Sequence, residues 1–235
     1  MGFLDRLRAR VSRATPPVLK PALRSVSGRA GARRRSSVRA PLDLARENGL
    51  RMRLHDDPND ERAFDELAEI VRHRAALGHV PEGKLGQPVP PSDPERAAND
   101  AVWALAEEVA QNHRAWHPLV ELARLSIHND RKGALRRLGT AAERDPSGCA
   151  LVEGLEMLRQ AGLPDEALGL GVGHWRPREH DVEAGRQLVQ AAVEAGRVGE
   201  ARRHLEALSQ HPDKGRVAQV REELDRLIPA PGRRP

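Results

Sequence analysis

Three alanines, Ala134, Ala167 and Ala201, stand 33 and 34 residues apart, and the chain around them recurs in step. Twelve residues before each lie Leu122, Leu155 and Val189, and nine before each lie Leu125, Leu158 and Ala192. The segments leading into them read HNDRKGA, AGLPDEA and AGRVGEA, which are turn chemistry followed by a small residue. A fixed period of this kind decides the fold assignment before any single residue does. Small residues at the recurring points let two helices approach closely, while the turn sets how they cross.

The segments between these points carry helical periodicity. Asp60 suits the cap of a helix whose apolar face is Ala63, Phe64, Leu67, Ile70 and Val71, ended by Gly78. The stretch 78–93, GHVPEGKLGQPVPPSDP in context, reads as a loop. A second helix is expected from about 94 to 112, and Pro118 suits the first turn of a third. Further helices are expected near 131–144, 148–160, 164–172, 180–195, 198–210 and 214–228, with a short one at 41–55. Short breaks between amphipathic helices make antiparallel neighbours. Two Phe, three Trp and no Tyr argue against a sandwich or barrel core, and no run has strand character. The expected fold class is all-α.

Period and residues together resemble the tetratricopeptide repeat, a helix–turn–helix unit of about 34 residues. The likeness is carried by AGRVGEARRHLEALSQHPD, with Gly196, Glu200, Ala201, Leu205, Leu208 and Pro212 in the second-helix pattern. Phe64, Leu67, Ala68 and Val71 have the first-helix spacing. The resemblance implies hairpins stacked as an α-solenoid over residues 42–228, and a non-catalytic adaptor or scaffold that binds a protein or peptide on its concave face. Glu156, Arg159, Arg186, Gln190 and Glu194 are the first-helix residues it would turn toward that groove.

Charge divides the chain. Residues 1–40 hold eleven Lys or Arg against Asp5 alone, a net of +10, whereas the remainder holds 28 basic and 33 acidic residues, or −5. Phe3, Leu4, Leu7 and Val11 make one stripe of a short amphipathic helix, with Arg6, Arg10 and Arg13 beside it. The rest of the arm to residue 41, including Arg33, Arg34 and Arg35, is too poor in apolar residues to offset the entropy of ordering, as is the tail 229–235. The arm therefore offers an alternative function, attachment to an anionic membrane surface or to nucleic acid. With one cysteine, no apolar run near the roughly eighteen residues of a membrane span and no secretory leader, the expected location is cytoplasmic, at most peripheral to the inner membrane face. Thirty-nine basic residues include only four Lys, a bias typical of the GC-rich coding sequence of some bacteria.

Chemistry-bearing residues are few. Cys149 lies at an expected helix start, where backbone N–H groups lower a thiol pKa, but no histidine is spaced to serve it, and it is read as a small core residue. His113 and His117 have the i, i+4 spacing of a helical metal pair, yet Pro118 disfavours helical geometry at His117. In HWRPREH, residues 174–180, Trp175 is expected to plug the space beside the glycine-rich LGLGVG segment. No nucleotide-binding, hydrolase or metalloprotease motif is present. The sequence thus assigns no catalytic residue, no metal, no cofactor and no small-molecule substrate.

Overall fold

The structure, a computed structural model, describes residues 44–78 and 93–228. The expectations for the arm, for most of the 78–93 loop and for the tail lie outside them. Among the described residues there are ten helices and no strand. They are α1 (residues 44–56), α2 (Glu61–Ala76), α3 (Pro94–Ala110), α4 (His117–Ser126), α5 (Arg131–Arg144), α6 (Cys149–Gln160), α7 (Pro164–His174), α8 (Val182–Glu194), α9 (Val198–Leu208) and α10 (Lys214–Leu227).

Aspartates start half of them. Asp60, Asp93, Asp130 and Asp213 each accept from the backbone N–H three residues on, at 2.9–3.0 Å, and Asp181 accepts from Glu183 N. Each cap satisfies a donor that the helix leaves open and contributes about 1 kcal/mol. Helices α6 and α8 end alike. Gly162 and Gly196, 34 residues apart, both have φ 71°, and the next N–H reaches back five residues, Leu163 to Leu158 O and Arg197 to Ala192 O. A positive φ suits glycine, and this pair of terminators turns the chain the same way twice.

Helix pairs α4–α5, α6–α7 and α8–α9 pack as hairpins, and α4, α6, α8 and α10 adjoin one another in turn. Ala134, Ala167 and Ala201 are the fourth residues of α5, α7 and α9, and all are fully buried. Two apolar cores meet on α4. Leu122 joins Leu50, Leu54, Phe64, Leu67, Val102 and Leu105 of α1–α3, while Val120, Ala123 and Ile127 join the core of α5–α10. Between them, Arg137 of α5 lies over the Trp103 ring of α3 at 4.8 Å. Arg144 donates to Ala110 O, Asn112 O and Ala115 O, gathering the carbonyls that close α3.

The glycine-rich segment belongs to α7, which continues to His174. Gly171 is buried where a Cβ would come within 2.5 Å of Leu188 of α8, so glycine there serves close helix packing. Trp175 packs against the larger core, edge-on to His204 at 6.1 Å and against the bare face of Gly185. These neighbours lie on α8 and α9. No described helix is long and apolar enough to cross a membrane.

Candidate functional site

The residues assigned to the groove lie on two adjoining helices, Glu156 and Arg159 on α6 and Arg186, Gln190 and Glu194 on α8. Three of them are joined. Arg159 donates through Nε and Nη2 to the Glu194 carboxylate at 3.0 and 2.5 Å, and through Nη1 to Gln190 Oε1 at 2.7 Å and to Gln187 Oε1. A planar guanidinium with five donors is the side chain suited to hold a carboxylate and two amides at once. Arg186 binds Glu183 within α8 and reaches Glu223 of α10 at 3.1 Å. Glu156 stands apart, accepting from Gln160 at 3.0 Å.

Gln187 is the member the sequence did not single out. It is only 4 % exposed, and its amide is used at both ends, accepting from Arg159 and donating to Glu183 at 2.7 Å. Its signal is a polar residue between Ala184 and Leu188, on the most apolar face of α8. Burial pushes the Glu183 carboxyl up, but the hydrogen bonds from Arg186 and Gln187 outweigh it and hold the group below the usual glutamate range.

The same arrangement recurs along the row. Arg124 of α4 approaches Glu153 of α6 at 3.7 Å, and Arg216 of α10 makes a two-pronged pair with Asp181, the cap of α8, at 2.7 and 2.8 Å. Arg216 is the main cause that holds Asp181 below the usual aspartate range; burial opposes it, and the Glu183 N–H adds to it. A depressed carboxylate stabilises the fold above its unfolded pKa of about 3.9 and loses that contribution as pH falls through the lower, folded value. Asp181→Asn is therefore expected to lower the melting temperature by a constant amount above about pH 5. That gap closes as pH falls below about 4, and thermal melts of both proteins through the acid range check it.

The remaining candidates separate. Cys149 is exposed as the first residue of α6; Ala150 takes the core position, which corrects the expectation of a buried thiol. His113 is exposed in the α3–α4 turn, whereas His117 is the buried first residue of α4, so the i, i+4 pair is not formed on one helix. His117 is itself helical despite Pro118, because the first turn of a helix leaves its N–H groups free and accepts proline at its second position. Asn59 Oδ1 takes two of those N–H groups, from Trp116 and His117, at 2.7 and 3.1 Å.

Compared with known protein families, curated proteins and solved structures, the chain matches none of them.

Proposed function

We propose that the chain is a tetratricopeptide-like array acting in the cytoplasm as a non-catalytic interaction module, with a protein or peptide partner on the face formed by α6, α8 and α10. The observation that carries this reading is the polar surface running across adjoining helices. Arg159, Gln190 and Glu194 share a network that Arg186 joins through Glu183 and Gln187, while Glu156 stands apart on α6. An extended segment with alternating acidic and amide groups has donors and acceptors to meet there. The helical period of 33 and 34 residues supports the stacked-hairpin architecture that would make this face concave.

The test is affinity capture with the full chain, with residues 41–235, and with an Arg159→Ala/Arg186→Ala variant. The variant is expected to keep its far-ultraviolet circular dichroism and to lose the captured partner, which residues 41–235 retain. Retention of the same partner by the variant would overturn the reading. The +10 charge of residues 1–40 favours a second reading, a membrane-surface or nucleic-acid factor acting through the arm. It predicts that only the full chain retains anionic vesicles or nucleic acid, and that high salt releases them.

A further inference from the structure

The imidazole of His117 is 5 % exposed, and neither ring nitrogen has a hydrogen-bond partner. Two unmet polar atoms in a buried ring are costly, and a buried polar group without partners calls for an explanation. The ring is walled by aromatic edges, Phe64 at 5.3 Å and Trp116 at 5.7 Å, which hold it in place and offer it nothing polar. Its backbone is pinned by Asn59 from the α1–α2 turn, and Asn59 in turn donates to Arg114 O at 2.9 Å. This is a rigid side chain with its ligating atoms unused.

Two carboxylates converge on it from other helices. Ligating atoms of Glu61, the first residue of α2, of His117 and of Glu153 in α6 all lie within 4.8 Å of one another. Atoms bound at about 2.0–2.1 Å to one tetrahedral ion are roughly 3.3 Å apart, so small side-chain movements close the set. We propose that Glu61, His117 and Glu153 form a binding site for a divalent transition-metal cation of the zinc class. One imidazole nitrogen and two carboxylate oxygens suit such an ion, and the exposed side of Glu61 leaves a position for water.

The surroundings agree. Burial holds the His117 imidazole below its usual pKa. Glu121, Glu61 and Asp65 all pull that ring the other way, and Arg124 opposes them, leaving an excess of negative charge for a cation to balance. Arg124 donates to Glu121 Oε1 at 3.0 Å and stands 3.7 Å from the Glu153 carboxylate. An ion here would tie α2, α4 and α6 together across the seam between the two apolar cores.

The experiment is isothermal titration of untagged full-length protein with zinc chloride near pH 7.5, beside Glu61→Gln, Glu153→Gln, His117→Asn, His113→Ala and Cys149→Ser. One ion per chain is expected, with a rise in melting temperature on saturation. His113→Ala and Cys149→Ser should leave the affinity unchanged, whereas Glu61→Gln and Glu153→Gln should each weaken it by about tenfold or more. Glu61 is exposed, so its variant is readable even if His117→Asn fails to fold. X-ray absorption of the loaded protein should show nitrogen and oxygen neighbours without sulfur. No uptake at tens of micromolar zinc, or uptake that both glutamine variants leave intact, overturns the site.

Discussion

Gly148→Ala lowers the unfolding free energy by about 2–5 kcal/mol, with a matching fall in the urea midpoint and no change in the slope. Two costs combine. Gly148 has φ 86°, and an L-residue held in the left-handed region costs about 1–2 kcal/mol. A Cβ there would also lie 2.8 Å from both Cβ and Cγ of His180, atoms fixed to a buried residue that cannot swing aside. Overpacking of that kind costs about 1–3 kcal/mol more. Gly162 supplies the control, because its φ is 71° but nothing lies within 4 Å of its missing Cβ. Gly162→Ala should cost about 1 kcal/mol. Equal losses at the two positions would show that the 175–181 connection does not press on the α5–α6 turn.

Asp145→Ala has an expected cost of similar size at the same joint. The carboxylate is 3 % exposed and accepts three hydrogen bonds, from Ser147 N at 3.0 Å, Ser147 Oγ at 2.6 Å and Ala150 N at 2.7 Å. It thus caps α6 from three residues before the formal cap, closing the turn through which α5 passes to α6. Removing it strands the buried Ala150 N–H at a helix N-terminus and frees both donors of the exposed Ser147, which together costs about 2–4 kcal/mol. Asp145→Asn keeps an acceptor of the same shape without the charge, and should cost about half as much. Denaturant melts of the two variants check the order. The double variant with Gly148→Ala should fall short of the sum, since both act on one turn.

Helix boundaries were legible wherever local chemistry decides them. Asp60 caps α2 as expected, and the starts expected near 94, 131, 164, 198 and 214 are those observed. The period in alanines was legible as a recurrence, and all three are fully buried where the hairpin helices pack. What depends on the third dimension was not. Glu61, His117 and Glu153 are 56 and 36 residues apart, on helices whose faces meet only once packed. The i, i+4 spacing of His113 and His117 was a local signal for a contact that the turn before α4 prevents. Gln187 looked like one more polar residue of an amphipathic helix until Arg159 was placed against it. Cys149 looked like core because it adjoins core; the helix begins one residue too early for it to turn inward.

The Arg159 network has a kinetic side. Four of its five N–H donors already face Glu194, Gln187 or Gln190, so an arriving carboxylate that takes more than one of them displaces an acceptor already in place. The net gain is then a difference between two similar bonds, and the released Glu194 stands ready to reclaim its place. A partner held on this face by charge alone would depart quickly and be replaced quickly. Long residence would require apolar anchors of its own at the margins of the network.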